Sequence, residues 1–169
     1  MKLIPINSEN MANCHKINED NVPEVGTKSL SEFESLVNNS DFNLCVLIED
    51  IVVGYIVCFQ DTEDTHEYLI ELDHKNYQQW KQRLNNFLYI DRIAIDESFR
   101  NKQIASRLYD EVIKFSNKNA ISHLTAEVNL LPTKNIPSFL FHEKYDFTEF
   151  DTVKYSEDYE VSLQVRMNS

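Results

Sequence analysis

The chain has 169 residues, 42% of them hydrophobic, and a formal net charge of −12. This length and composition predict one globular domain, residues 1–169, with a core of ordinary size. The charge argues against nucleic acid as a partner, because phosphate binding needs a basic face. It agrees with a cationic substrate, although an acidic surface can also serve solubility alone.

Targeting and metal signals are absent from the sequence. No apolar run approaches the roughly 18 residues of a membrane helix, and Met1–Pro5 lacks the apolar stretch of a secretion signal. We therefore expect a cytoplasmic protein with no membrane partner. The cysteines have no metal-ligand spacing and the histidines no paired spacing, so we expect no metal site. The cysteines are instead predicted to be buried, reduced thiols: Cys14, Cys45 and Cys58.

The first third of the chain predicts two helices and a hairpin. Met11–Asn21 has helical character that Val22–Gly26 interrupts. Ser29 can cap a second helix, with Glu32 completing a capping box. An antiparallel hairpin follows, formed by two apolar, β-branched runs: Asn43–Glu49 and Ile51–Gln60.

The segment after the hairpin is polar. We interpret Asp61–Asp64 as an acidic turn and Asn76–Leu84 as a short helix. That helix carries Tyr77 and Trp80 on one face, and such aromatic residues either join the core or wall an acceptor pocket. A polar connection in front of the helix could cover that pocket with two residues: Tyr68 and His74.

The second half alternates strands and helices. Phe87–Ile95 and His123–Asn129 are predicted strands on either side of a helix, Lys102–Asn117, which makes them a parallel pair. The remaining elements are a helix and two closing strands: Asn135–Lys144, Thr148–Lys154 and Glu160–Arg166. The order predicts an α/β protein (an α+β mixed sheet), with helices packed on both faces of the sheet.

The strand–loop–helix segment from Ile93 to Ser106 carries the clearest chemical signal. The first turn of a helix presents unpaired N–H groups and the positive end of the dipole, which bind phosphate. Arg100 and Lys102 add positive charge, and Ser106 adds a hydroxyl donor. On these features alone, an ordinary junction with solvated cations is an equally good interpretation.

Two motifs in this half resemble those of a known family. Arg100-x-x-Gln103-x-Ala105 resembles the pyrophosphate-binding motif of the GNAT (GCN5-related N-acetyltransferase) superfamily, and Asn135–Phe147 resembles the family's second half. More narrowly, Asn76-Tyr77-x-x-Trp80 leading into Phe87–Arg92 is similar to a bacterial branch of predicted acetyltransferases. The resemblance implies a twisted mixed sheet of about six to seven strands with splayed fourth and fifth strands.

The resemblance also implies acetyl-CoA (coenzyme A) as cofactor. The strand would bind pantetheine, the loop and helix start would bind pyrophosphate, and the second half would contact the cofactor from the other side. The cofactor-binding residues would be, in that order: Ile93, Ala94 and Ile95; Arg100, Asn101, Lys102, Gln103, Ile104, Ala105 and Ser106; Asn135 and Phe141.

The family's reaction is direct attack of a neutral amine on the thioester carbonyl. His142 stands where the family usually has a tyrosine that protonates the thiolate, and Tyr145 one turn later could serve instead. The available carboxylates for the base are Glu127 and Asp91, acting through water. Each of these residues could equally have a structural role, and Asp91 could simply pair with the adjacent arginine.

Two departures from the family pattern bear on function. Gln103 replaces a glycine that lets the backbone approach the pyrophosphate, and Asp146 replaces a glycine at a turn where φ is often positive. The sequence therefore also allows a non-catalytic GNAT-fold module that binds coenzyme A or a partner. A longer acyl group, a small-molecule or peptide amine as acceptor, and a homodimer formed through the sheet edge all stay open.

Overall fold

The computed structural model describes residues Met1–Ser169. It contains a seven-stranded sheet, six α-helices and one 3₁₀ turn, Glu97–Phe99. The elements in chain order are β1 (Lys2–Ile4), α1 (Met11–Asp20), α2 (Leu30–Asn39), β2 (Phe42–Ile48), β3 (Ile51–Gln60), α3 (Glu63–Glu71), α4 (Lys75–Lys81), β4 (Phe87–Ile95), α5 (Ile104–Lys118), β5 (His123–Leu131), α6 (Ile136–Lys144), β6 (Thr148–Ser156) and β7 (Tyr159–Met167).

The strands lie in the order β1-β2-β3-β4-β5-β7-β6. Every neighbouring pair is antiparallel except β4 and β5, which run parallel with α5 as their connection. This arrangement confirms the predicted mixed sheet and the predicted parallel pair. No helix is both long and apolar enough to span a membrane.

Alternating strand residues divide the core between the two faces of the sheet. On β3, Tyr55 and Val57 pack with α1–α4, whereas Ile56 and Cys58 pack with α5. This is the period-two pattern of a strand buried on both faces. All three cysteines are buried and free, as predicted.

The sequence prediction missed two elements. β1 has only three residues, and it pairs with β2 at the sheet edge, too short for a periodic signal. The predicted acidic turn and polar connection are wrong: Thr62 caps α3, which contains Tyr68, and His74 caps α4. The sequence of α3 has no clear helical periodicity, because only Thr65 and Leu69 of its residues are buried and it lacks a full apolar stripe.

The parallel pair separates after three residues. β4 and β5 are paired only from Phe87–His123 to Tyr89–Thr125, and beyond that point the strands have no pairing between them. A bulge in β4 follows directly, because Val57 pairs with Arg92 and Cys58 with Ile90. Asp91 is therefore the extra residue of the bulge, which fits the tendency of bulges to redirect side chains beside functional sites.

Candidate functional site

A cavity of about 540 Å³ fills the gap between the separating strands. We call it the central cavity. Its walls come from β4, β5, the α1–α2 loop, the residues around the start of α4, α5, α6 and the start of β7. Six of the residues selected from the sequence line it: His74, Asp91, Ile93, Glu127, Asn135 and His142.

The backbone of β4 turns unpaired groups toward this gap. The Asp96 N–H donates to Val53 O on β3 at 2.8 Å. Because the hydrogen-bonding direction alternates along a strand, Ile93 and Ile95 then direct their N–H and C=O groups away from β3, toward β5. No β5 residue pairs with them. The strand thus offers free backbone groups to an extended ligand, except that the Ile95 carbonyl oxygen accepts a hydrogen bond from Asn21 Nδ2 at 3.3 Å.

The beginning of α5 offers a second set of free groups. The N–H groups of residues 101–106 donate to no acceptor in the chain, and the first helical bond is from Arg107 N to Gln103 O at 3.0 Å. These amides lie at the positive end of a 15-residue helix. The segment therefore has the donor set of an anion site.

Gln103 adopts the left-handed conformation, with φ 61° and ψ 20°. Asn101 is also left-handed, with φ 62°. A residue with a Cβ tolerates this region at a cost, which explains why the motif favours glycine at position 103. The loop keeps the glycine-like backbone without the glycine. Asp146 likewise has φ 62°, which confirms the turn conformation expected there.

The basic side chains of the loop contact their surroundings. The Arg100 guanidinium donates to Asn21 Oδ1 at 2.9 Å, and Asn21 Nδ2 in turn donates to Ile95 O at 3.3 Å. Lys102 lies 4.7 Å from the ring centre of Phe99. Since Asn21 also lines the central cavity, it connects the loop to the cavity rim.

Glu127 has one carboxylate oxygen without a hydrogen-bond partner. Its Oε1 accepts hydrogen bonds from the Tyr89 hydroxyl and from Asn76 Nδ2, the latter at 3.2 Å. Its Oε2 is buried and has no partner. Burial raises the pKa of Glu127 to about 7, against the stabilising effect of the Tyr89 hydrogen bond on the charged form. Such a carboxylate is poised to accept a proton near neutral pH.

Asp91 is fully engaged in a buried network. Its Oδ2 accepts from Arg92 Nε at 2.8 Å, and its Oδ1 accepts from His74 Nε2 at 2.6 Å. Burial would raise the pKa of Asp91, but the charge of Arg92 and the His74 hydrogen bond hold it well below its usual range. Arg92 also donates to Asn18 Oδ1 and Gly26 O, so the network joins β4 to α1 and the loop that follows it.

His142 is buried and hydrogen-bonded through both ring nitrogens. Nδ1 lies 2.7 Å from Ser138 O, a carbonyl that can only accept, so Nδ1 carries the proton. Nε2 then accepts from the Tyr109 hydroxyl at 2.8 Å. Burial lowers the pKa of His142, which keeps the ring neutral. Tyr109, from α5, lines the central cavity beside it.

The other predicted residues lie around the cavity. The Tyr145 hydroxyl donates to Ser106 O at 3.0 Å and lies 3.2 Å from Asp110 Oδ1, and neither Tyr145 nor Phe141 lines the cavity. Asn135 caps α6 by accepting from Ser138 N at 3.3 Å. The side chains considered as walls of an acceptor pocket are buried in the core on the α1–α4 face: Tyr77 and Trp80.

Sequence reasoning missed several residues of the cavity. Tyr109 lies at the edge of the apolar stripe of α5, next to the buried Leu108, and gave no signal of its own. The sequence indicates Asn76 only as part of the Asn76-Tyr77-x-x-Trp80 motif, yet its side-chain amide donates to Glu127. The pairing of Tyr109 with His142 joins residues 33 positions apart, and only the fold brings them together.

Comparison with known proteins identifies the family. A family model described as "Acetyltransferase (GNAT) family" matches residues 11–147, most of the chain. The chain belongs to the acetyltransferase (GNAT) family. This GNAT chain is therefore an acetyltransferase, and acetyl-CoA is the cofactor that the family uses. The predicted family, enzyme class and cofactor are confirmed.

Solved structures share the fold of this GNAT chain. Ard1 from Thermoplasma volcanium is 16% identical with a TM-score of 0.77, covering 99% of this chain and 97% of that one. An N-acetyltransferase from Staphylococcus aureus Mu50 is 17% identical with a TM-score of 0.73, covering 99% and 98%. Arabidopsis thaliana Naa50, in complex with the bisubstrate analogue CoA-Ac-MVNAL, is 17% identical with a TM-score of 0.71, covering 98% and 97%. No curated protein matches the chain by sequence.

Proposed function

We propose that this acetyltransferase transfers the acetyl group of acetyl-CoA to a primary amine by direct attack within the central cavity. One observation carries the proposal: the free backbone of β4 at Ile93 and the unpartnered Oε2 of Glu127 belong to the walls of the same cavity. The first group can polarise a carbonyl, and the second can remove a proton. Their combination is what aminolysis of a thioester needs.

The residues present fit the cofactor. The free amides of residues 101–106 suit the pyrophosphate, with Arg100 and Lys102 adding positive charge. The N–H and C=O of Ile93 and the N–H of Ile95 suit an extended pantetheine arm. Asn135 and Tyr109 face this path from the other side of the cavity. When bound, acetyl-CoA supplies the activated acetyl group.

Glu127 acts as the base in this proposal. The attacking amine must lose a proton, and a carboxylate with a pKa of about 7 both ionises and accepts protons near neutral pH. Asp91 is a weaker candidate, because each of its oxygens already accepts a short hydrogen bond from a cationic or protonated partner. We assign Asp91 to positioning the bulge.

Two groups would stabilise the negative charge that develops on the carbonyl oxygen and on the departing sulfur during transfer. The Ile93 N–H, free of β-pairing, stabilises negative charge on the carbonyl oxygen. The Tyr109 hydroxyl, positioned by His142, can turn from Nε2 and donate a hydrogen bond to the departing sulfur, which stabilises the thiolate while the tyrosine keeps its proton. Tyr145 is less suited, because its hydroxyl already donates to Ser106 O, outside the cavity.

Amine-dependent release of free thiol from acetyl-CoA tests the proposal. The purified protein is incubated with acetyl-CoA and a panel of primary amines, peptides with free N-termini included, and mass spectrometry follows the acetylated product. We expect thiol release to rise with at least one amine and to match the product formed. Binding of acetyl-CoA without transfer to any amine would support the non-catalytic module instead.

A further inference from the structure

A second cavity of about 430 Å³ adjoins the central one. We call it the side cavity. The two share four lining residues: His74, Asn76, Arg92 and Tyr159. The shared residues place the two cavities side by side, with Glu127 in the wall of the central cavity and Lys28 in the wall of the side cavity.

The side cavity is more basic than the chain as a whole. The sequence has 28 acidic and 16 basic residues, yet the charged residues lining this cavity are Lys28, Lys75, Arg92 and Asp73. Lys75 pairs with Asp73 at 3.2 Å, and Arg92 is bound to Asp91, Asn18 and Gly26. Lys28 is the remaining cation.

The backbone of Lys28 is fixed by two hydrogen bonds, and its ammonium group forms no salt bridge. Its N–H donates to Glu19 Oε1 at 2.9 Å, and its carbonyl oxygen lies 2.7 Å from His15 Nε2. The side chain is half-buried, and it takes part in no ion pair. The nearby carboxylates are satisfied by other donors: Glu19 by Thr27 at 2.6 Å, and Glu32 by Ser29 N at 2.7 Å.

We propose that Lys28 binds an anionic group of the acceptor, so that the acceptor is a primary amine carrying a carboxylate or a phosphate. The inference rests on the proposed function, because it takes the amine end to lie beside Glu127. Tyr155 and Tyr159 also line the side cavity, and their rings stack at 5.3 Å with an interplanar angle of 19°.

Matched amines test this assignment. 5-Aminopentanoate and 3-aminopropyl phosphate carry the anion, whereas pentylamine lacks it and 1,5-diaminopentane replaces it with a cation. We expect kcat/KM for one of the anionic amines to exceed that for pentylamine by at least about tenfold, because a charge-assisted contact to a half-buried lysine is strong. The anionic amine with the higher kcat/KM shows whether the site binds a carboxylate or a phosphate.

Lys28→Glu should abolish this preference and favour 1,5-diaminopentane over the anionic amines. Lys2→Glu makes the same charge change on β1, away from both cavities, and should leave the preference intact. Equal rates on all four amines, an unchanged preference in Lys28→Glu, or a peptide acetylated better than every anionic amine would overturn the assignment.

Calorimetry separates failure of this inference from failure of the proposed function. The two anionic amines are titrated into the protein with coenzyme A bound. Binding that Lys28→Glu removes and Lys2→Glu keeps would support the anion site even if no acetyl group were transferred. Absence of such binding, alongside acetylation of other amines, would overturn the anion site and leave the acetyltransferase proposal standing.

Discussion

Glu127 owes its properties to a compact set of neighbours. Tyr89 and Asn76 hold one oxygen, and Asn76 is itself fixed by the Tyr155 hydroxyl, which donates to its Oδ1 at 2.6 Å. The other oxygen is buried without a partner. An unpaired buried oxygen is costly for a structural residue, and it is what a base requires before the substrate arrives.

The pH dependence of catalysis tests the role of Glu127. Its pKa is raised from 4.5 to about 7, and only the ionised form can accept a proton, so kcat/KM should rise with pH through a midpoint near 7. In Glu127→Gln this step should disappear and the rate should fall about 10²–10⁴-fold. Glu143→Gln, on an exposed part of α6, serves as the control. A step near pH 7 that survives in Glu127→Gln would assign the base elsewhere.

The free energy of unfolding of an Asp91 variant tests whether Asp91 has a positioning role. Its side chain is 2% exposed and that of Arg92 is 7% exposed, so Asp91→Asn leaves a buried guanidinium without its counter-charge. We expect the free energy of unfolding to fall by about 3–5 kcal/mol, measured by urea denaturation. Asp73→Asn removes a carboxylate that is 72% exposed and should cost less than about 1 kcal/mol. Similar stabilities for the two variants, with activity lost only in Asp91→Asn, would make Asp91 a chemical participant.

At the scale of elements, the loop before α5 contains two residues in the left-handed conformation, Asn101 and Gln103. Gln103 is held at φ 61° although glutamine prefers negative φ. The N–H groups of the first helical turn, which begins at Ile104, directly follow this residue and have no acceptor in the chain. The site therefore requires a left-handed residue at position 103, and glutamine adopts that conformation at a cost in conformational energy.

Substitutions at Gln103 test the strain directly. Gln103→Gly should be at least as stable as the original chain, whereas Gln103→Val should be less stable than the glycine variant by about 1–2 kcal/mol, since a β-branched residue suits the left-handed region poorly. Thermal unfolding monitored by circular dichroism would show the order. At Gln82, an exposed residue with φ −75°, the advantage of glycine should vanish. Equal stabilities of the two Gln103 variants would argue against a left-handed residue there.

Elements with a full apolar pattern were predictable from the sequence. Ser29 and Glu32 form both halves of the predicted capping box, and β3, β4 and α5 lie close to their predicted bounds. The short edge strand β1 and the largely exposed α3 were not predictable, because neither buries enough residues to show a period. The separation of β4 from β5 came from family resemblance, since no local pattern encodes a missing strand pair.

Across the whole molecule, a scarcity of glycine shapes the turns. The chain has two glycines, and neither has positive φ, whereas eight other residues do. Five of those eight are asparagine or aspartate, which tolerate the left-handed region best: Asp50, Asp73, Asn86, Asn101 and Asp146. Positions where the family motif has glycine can therefore keep the left-handed conformation in this chain with another residue in place.

The overall charge and the charge that lines the side cavity differ in sign. The net charge of −12 agrees with a cationic acceptor or with solubility alone, whereas the side cavity is lined by Lys28, Lys75 and Arg92 with one carboxylate, Asp73. Formal charge sums over the whole surface, whereas recognition depends on the few groups that line a cavity. Likewise, the sequence supplied Glu127 and His142 as candidates, but their partners Asn76 and Tyr109 emerged only from the fold.

The binding of acetyl-CoA to the start of α5 tests the central claim most directly. Ser106→Glu places a carboxylate in the first turn of α5, where it suits the helix but repels a phosphate, and Ser31→Glu makes the same change in the first turn of α2. By calorimetry, we expect Ser106→Glu to weaken acetyl-CoA binding by at least about tenfold without loss of thermal stability, and Ser31→Glu to bind as the unaltered chain does. Equal affinity in both variants, or no binding by the unaltered chain, would contradict an acetyltransferase site between β4, β5 and α5.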